Sequence, residues 1–274
     1  MVDCFAGQTV LITGAGRGLG RAVALVFARL GANLALCARS ADQVAEVADA
    51  ARALGAEALG EALDITDRPA LEALVRRAEQ RFGGVDVLIN NAGVLQPVAP
   101  LWRADPAAWL RNIEINLGGA FLALRAVLPG MIERQRGAVV NVSSGVTRPD
   151  VRVRGWTAYS AAKAGLDQLT RVLAEELRPY QVQAIAFNPG MVDTAMQALI
   201  RGLPEADFGA DQLARFRRAY AVGKVQPPEL PARAIVWLAS LDAAALSGEV
   251  LDIEDERALA GAAAVQTWER ARPV

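Results

Sequence analysis

The chain has 274 residues, a formal net charge of −1 and a pI near 5.7. That balance offers no basic footprint for nucleic acid and no polybasic patch for a membrane surface, and no run approaches the roughly 18 apolar residues of a membrane span. Histidine is absent and cysteine occurs only at Cys4 and Cys37, which excludes Ser-His-Asp triads, Cys-His dyads, His-ligated metals and a disulfide framework.

Short apolar runs alternate with longer amphipathic stretches from the first residues onward. Thr9–Thr13 reads as a strand and Leu19–Leu30 as a helix; Asn33–Cys37 is the next strand, with Cys37 as a small core residue. Asp42–Leu54 follows as a helix with Asp42 in the place of an N-cap, then strand Ala58–Leu63, helix Pro69–Phe82 and strand Val85–Ile89. A long helix spans Pro106–Glu133, with an interruption expected near Gly118-Gly119. Strand Ala138–Val142, helix Thr157–Leu177 and strand Val182–Phe187 come next. Residues 195–228 break the rhythm and read as an excursion, with 195–225 expected to form a mobile substrate lid. Helix Glu229–Ser240 and strand Glu249–Ile253 restore the rhythm before an alanine-rich tail. The strands are apolar on both faces, as in a buried parallel sheet. The repetition predicts a Rossmann-type, doubly wound α/β sheet with helices on both faces, built as one domain over 1–274. The opening Met-Val-Asp-Cys-Phe-Ala lacks a basic region and a long apolar run, so no secretion signal is read there and a cytoplasmic location is expected.

Three motifs carry chemistry. The first strand runs into Thr13-Gly14-Ala15-Gly16-Arg17-Gly18-Leu19-Gly20, with a helix after it. Glycines there permit a tight turn and close approach to a pyrophosphate, and the helix start offers free N–H groups. No Lys-Ser/Thr follows, so the loop is not a Walker motif. The second motif is Asn90-Asn91-Ala92-Gly93. The third is Tyr159-Ser160-Ala161-Ala162-Lys163, a phenol and an ammonium one helical turn apart. The chain has only two lysines, Lys163 and Lys224. An ammonium beside a phenol stabilises the phenolate, so the pair is expected to lower the Tyr159 pKa toward neutrality.

Taken together, Thr-Gly-x-x-x-Gly-x-Gly, Asn-Asn-Ala-Gly and Tyr-x-x-x-Lys resemble the short-chain dehydrogenase/reductase family, in its compact single-domain branch, over about residues 5–253. The resemblance implies an NAD(P)-binding oxidoreductase of carbonyl or alcohol groups. It implies that Tyr159 moves a proton at the substrate oxygen and that Ser144, in Asn141-Val142-Ser143-Ser144, bonds the same oxygen. Lys163 would tune the tyrosine and hold the nicotinamide ribose, and Asn116 would position a relay water. Asp64 and Ile65 correspond to an adenine contact, and Asn90, Ala92 and Gly93 to ribose-side contacts. Pro189, Val192 and Thr194 belong to the segment that holds the carboxamide.

The family's acidic residue after the second strand is replaced here by Ala38, with Arg39 next and Arg17 in the glycine loop. Two guanidiniums suit a 2′-phosphate, so NADP(H) is expected, with NAD(H) as the alternative. Leu95, Trp102, Trp156, Met191, Met196, Leu199 and Phe208 are expected to line an apolar substrate pocket. Arg148, Arg152, Arg154, Arg215, Arg217 and Arg218 read as a solvated face or, alternatively, as an anchor for an acidic substrate. Ser144 and Tyr159 stand fifteen positions apart, wider than the family spacing, and the last strand ends in Asp252-Ile253-Glu254-Asp255 rather than Asp-Gly-Gly. A homo-oligomer, dimer or tetramer, is expected from the resemblance. Two other functions stay open: a sugar-nucleotide epimerase, disfavoured by the glycine spacing, and a non-catalytic nucleotide sensor on the same fold.

Overall fold

Seven short apolar segments pair in one fully parallel sheet in the order β3-β2-β1-β4-β5-β6-β7. A computed structural model describes residues 5–271; Cys4 lies outside them. The strands are β1 (Thr9–Thr13), β2 (Asn33–Ala38), β3 (Ala58–Ala62), β4 (Val87–Asn90), β5 (Gly137–Val142), β6 (Val182–Asn188) and β7 (Val250–Asp252). The first half of the chain winds outward from β1 to β3, and the second returns to the other side of β1 through β4. The strand order therefore reverses between β1 and β4, where a doubly wound sheet opens a crevice at its carboxyl edge.

The helices cover both faces, as the continuous apolar strands require. On one face α1 (Gly18–Arg29), α2 (Ala41–Ala53), α10 (Glu229–Leu238) and α11 (Glu256–Ala271) bury a core that includes Phe27, Val47, Ile235 and Val265. On the other, α3 (Arg68–Phe82), α4 (Pro106–Ile113), α5 (Gly119–Glu133) and α6 (Thr157–Leu177) flank a core with Leu71, Leu74, Leu124 and Leu173. Cys37 belongs to this second core, and burial pushes its thiol up to about 12, so it is an inert packing residue. The apolar stretch 106–133 has the length of a membrane span, but its buried side packs onto the sheet and α6.

Several local expectations change. The N-cap of α2 is Ser40, whose hydroxyl accepts from Gln43 N at 3.4 Å, rather than Asp42. The helix from Pro106 to Glu133 does not break at Gly118-Gly119. It widens into one π-helical turn over Glu114–Gly118 and keeps right-handed helical dihedrals across both glycines. The alanine-rich tail is the sixteen-residue helix α11, docked on α10 where Gly261 lets the Trp237 ring approach the backbone. Its alanines are packing residues, and Glu269 anchors its end to Arg29 and Arg233.

The excursion after β6 is three helices, α7 (Ala195–Arg201), α8 (Glu205–Phe208) and α9 (Ala210–Ala221). They are not a bare loop. Ile200, Phe208 and Leu213 are buried in a third apolar cluster with Leu95, Trp156 and Tyr159. Within it the Trp156 ring stacks on Phe208 at 5.5 Å and meets the Tyr159 ring edge-on at 5.9 Å. The excursion is thus fastened to the start of α6 by aromatic contacts.

Candidate active site

A cavity of about 630 Å³ opens at the reversal of strand order, above the carboxyl ends of β1, β2, β4, β5 and β6. One side is the loop between β1 and α1. Gly14 turns there with φ +66°, and a side chain on it would strike the Ala92 backbone at 2.8 Å. At Gly20 a Cβ would sit 2.3 Å from Gly14 O and 2.5 Å from Asn91 Nδ2, so loop and helix pack backbone to backbone. Helices α2, α3 and α4 each have a side-chain cap, from Ser40, Asp67 and Asp105. Helix α1 has none and no acid in its first turn. Its orphan N–H groups and positive dipole end face the cavity, which is the donor set a pyrophosphate needs. The Gly20→Ala variant is therefore expected to lose dinucleotide binding by at least about tenfold with a lower melting temperature. Titration of intrinsic fluorescence with NADPH and NADH checks this; wild-type affinity for both would show that the close packing is dispensable.

The loop after β4 is tied to the cradle. Asn91 Nδ2 donates to Thr13 O at 3.0 Å and Gly14 O at 3.1 Å, and Thr13 Oγ1 accepts from the backbone N–H of Asn91 and Ala92, each at 3.0 Å. Of the Asn-Asn-Ala-Gly motif, Asn91, Ala92 and Gly93 line the cavity. Asn90 does not. It is buried between β4 and β5, where its amide donates to Asn141 Oδ1 at 2.9 Å. Its strand position turns that side chain into the core, because successive residues of a strand face opposite ways.

Ser144, Tyr159 and Lys163 converge on the other side of the cavity. Ser144 lies two residues after β5 and caps a short 3-10 turn, Gly145–Thr147; its hydroxyl is hydrogen-bonded with the Tyr159 phenol. The extra residues between Ser144 and Tyr159 are absorbed in this turn and the loop after it. Burial raises the phenol above its usual value, and the Ser144 bond only partly offsets this. The expected lowering by Lys163 does not appear: the ammonium lies 5.9 Å from the ring centroid and donates instead to Val142 O at 2.7 Å. Burial pushes Lys163 itself down to about 8, against the upward pull of Asp167. Asp167 is buried one turn further along α6 and accepts from the Ser143 hydroxyl.

Asn116 is fully buried at the π-helical turn and does not line the cavity. Its amide donates to Val94 O at 2.8 Å and accepts from Val94 N at 3.1 Å, and it also donates to Asn112 Oδ1 at 2.9 Å. Asn112 continues the clamp onto Leu95 O and Gln96 O. The two asparagines hold the wall after β4, so the side chain expected to position a water is already engaged with backbone.

The remaining predicted residues line the same cavity: Gly16, Arg17, Gly18, Leu19, Arg39, Asp64 and Ile65, and also Pro189, Val192 and Thr194, whose methyl lies against Gly18. Burial alone would raise Asp64, but bonds from Thr66 and the cations Arg111 and Arg39 outweigh it and hold the carboxyl low. Arg17 and Arg39 are exposed, and neither forms an ion pair among the described residues.

The family model described as "short chain dehydrogenase" matches residues 8–202, which include every element just described from the cradle to the tyrosine–lysine turn. The chain belongs to the short-chain dehydrogenase family. It is similar to cis-4-hydroxycyclohexanecarboxylate dehydrogenase of Sinomonas cyclohexanicum, with 39% identity over 93% of this chain and 98% of that protein. Among solved structures it resembles levodione reductase, at 30% identity and TM-score 0.83, covering 93% of this chain and 99% of that one. It also resembles NAD⁺-bound xylitol dehydrogenase, at 26% identity and TM-score 0.83, covering 91% and 98%. This short-chain dehydrogenase is accordingly an oxidoreductase of alcohol or ketone substrates that uses a nicotinamide dinucleotide.

The substrate side of this short-chain dehydrogenase differs from the sequence expectation. Leu95, Trp156 and Phe208 form one apolar cluster with Met196 against it. Trp102 is 82% exposed and Leu199 is exposed, so neither forms part of that cluster. Met191 lines a second hollow of about 380 Å³, with Arg215, Arg218 and Lys224. Arg148 is not free to meet an anionic substrate: it is paired with Asp252 and Glu254. That pairing gives the atypical acidic segment a structural role, since Asp252 also accepts from Asn188 beside Gly190. Arg152 folds back onto Val151 O, and Arg217 reaches Arg201 O. Sequence reasoning missed Asn91, Asn112 and Asp167, whose roles depend on partners far away in the chain. It also missed Gln197, although Thr194-Ala195-Met196-Gln197 carries a capping-box pattern.

Proposed function

We propose that the protein is an NADP(H)-dependent ketoreductase, with Tyr159 as its general acid. The observation that carries the reading is the Tyr159 phenol, buried at the cavity wall and bonded with Ser144. A phenol held above its usual value stays protonated at neutral pH, which is the state required to donate to a carbonyl oxygen. When bound, the reduced nicotinamide supplies the hydride for the carbonyl carbon. Tyr159 gives its proton to the oxygen, and the Ser144 hydroxyl stabilises the charge that develops there. Lys163 is placed to hold a ribose hydroxyl and to stabilise the Tyr159 phenolate left after the transfer, until solvent restores its proton. Gly14 to Gly20 and the start of α1 cradle the pyrophosphate. Asp64 and Ile65 flank the adenine, while Val192 and Thr194 flank the carboxamide. Helices α7–α9 close over the substrate, and the cluster around Trp156 and Phe208 favours an apolar body on the ketone. In the proposed setting the enzyme is cytoplasmic and homo-oligomeric.

The cofactor choice rests on Arg17 and Arg39, two exposed guanidiniums outside any ion pair among the described residues, although Arg39 acts on Asp64 at longer range. A charge-assisted bond is worth about 1.5–3 kcal/mol. Arg39→Asp is therefore expected to weaken NADPH about 10- to 100-fold while changing NADH little. Steady-state kinetics of both cofactors check it; wild-type efficiency with NADH equal to that with NADPH would overturn the preference. The solved xylitol dehydrogenase with NAD⁺ favours the second reading, an NAD-dependent alcohol dehydrogenase. A panel of ketones, quinones and oxo-acids followed by NADPH absorbance tests the activity itself. Tight NADPH binding with no turnover across that panel would favour a sensor.

A further inference from the structure

Gln197 is 8% exposed and lines the same cavity as Tyr159, Ser144 and Thr194. Its Oε1 is buried with no hydrogen-bond partner. A buried amide without partners is rare, because its desolvation goes uncompensated. The local sequence offers Gln197 an obvious partner. In Thr194-Ala195-Met196-Gln197, a capping box would have the Gln side chain reach the Thr194 N–H while the Thr hydroxyl accepts from Gln197 N. Neither half forms, and Thr194 makes no side-chain cap bond. Both side chains stand one helical turn apart on α7 and face the cavity with their hydrogen-bonding capacity unspent. The start of α7 also sits against the cradle, where a Cβ on Gly18 would lie 3.0 Å from the Thr194 methyl. The ligand group they meet is thus next to the pyrophosphate turn.

We propose that Gln197 is a cofactor-positioning residue whose side-chain amide pairs with the carboxamide of the nicotinamide ring. An amide has one acceptor and two donors, and so does a carboxamide; set antiparallel, each donates an N–H to the other's oxygen, which gives Gln197 Oε1 the donor it lacks. This rests on the dinucleotide reading above and adds one residue to it. The pairing also gives α7, and through it α8 and α9, a direct tie to the nicotinamide end of the cofactor.

The test measures binding. Wild type and Gln197→Met, which keeps length and volume without the amide, are titrated with NADPH and NADH. They are also titrated with ADP-ribose and its 2′-phosphate, which lack nicotinamide. Loss of two neutral hydrogen bonds predicts about a tenfold weaker Kd for the intact dinucleotide. The nicotinamide-free fragments should bind both proteins within about twofold. Unchanged dinucleotide affinity in Gln197→Met would overturn the proposal and assign the amide to substrate or to neither ligand. Equal weakening of fragment and dinucleotide would also overturn it, showing a general effect on α7. Wild type that binds neither dinucleotide would remove the underlying reading of function, a result separate from the other two.

Discussion

Replacing Tyr159 with Phe is expected to reduce kcat for ketone reduction by about 10²–10⁴-fold while leaving NADPH affinity within about twofold. The substitution removes one oxygen and keeps the ring. The ring is where the packing lies: Tyr159 meets Trp156 edge-on and belongs to the cluster that fastens α7–α9. The melting temperature should therefore move little. What is lost is the buried phenolic proton at the cavity wall. Ser144 is a weaker acid and is left there without its phenolic partner. Lys163 is turned to Val142 O. The chain has no histidine to substitute. Single-turnover absorbance at 340 nm with a reactive ketone reads the loss directly. Residual turnover within about fivefold of wild type would show that the proton comes from elsewhere.

The sequence made the sheet legible because the signal was redundant. Each of β1 to β5 is a mainly apolar run followed by a helix, and the parallel order follows from repeated strand–helix units. Local chemistry was legible for the same reason at the cradle and at the tyrosine–lysine turn, where residues adjacent in sequence act together. The failures have a common cause. Asn90 and Asn91 are neighbours, but strand alternation sends one into the core and leaves the other to pin the glycine turn. Asn116 carries the family's pattern, yet its amide is spent on Val94 and Asn112, contacts that depend on how a distant loop folds back. Arg148 looked free because its partner Asp252 is 104 positions away. The α11 helix was hidden by composition: alanine and glycine give little hydrophobic contrast between faces, although they are the residues that allow α11 to lie close against Trp237. Sequence spacing also says nothing about burial, so it set the lysine one turn from the phenol but showed neither the ammonium's turn to Val142 O nor the desolvation that raises the phenol.

Desolvation is also the basis of the second large expected effect, at Lys163. With its ammonium buried and its value pushed down to about 8, the cation is mostly charged at pH 7 and is lost as pH rises. The kcat/KM for reduction should therefore fall above about pH 8. Lys163→Met should remove that limb and lower kcat/KM by about 10²–10³-fold at neutral pH. Asp167→Asn is the control. Burial lowers Lys163 and the Asp167 carboxylate opposes it, so removing that charge must move the limb to lower pH. The other groups near the ammonium are the Tyr159 ring and Val142 O, neither of them anionic at neutral pH. The same burial has a stability signature of definite sign. The folded value, about 8, lies below the ordinary 10.5, so the unfolded chain binds the extra proton between those two pH values. Stability of the ligand-free protein must then rise with pH across that window, and the penalty is fully present below it. Denaturation of wild type and Lys163→Met at pH 7 and 9.5 isolates the effect, because every other group titrates alike in both. The difference between them should shift by about 2 kcal/mol in favour of wild type at the higher pH. Parallel curves would mean that the ammonium is solvated in the free protein. A shift of the stated sign, together with the lost activity, would mean that this site holds an unstable buried cation because the chemistry requires it.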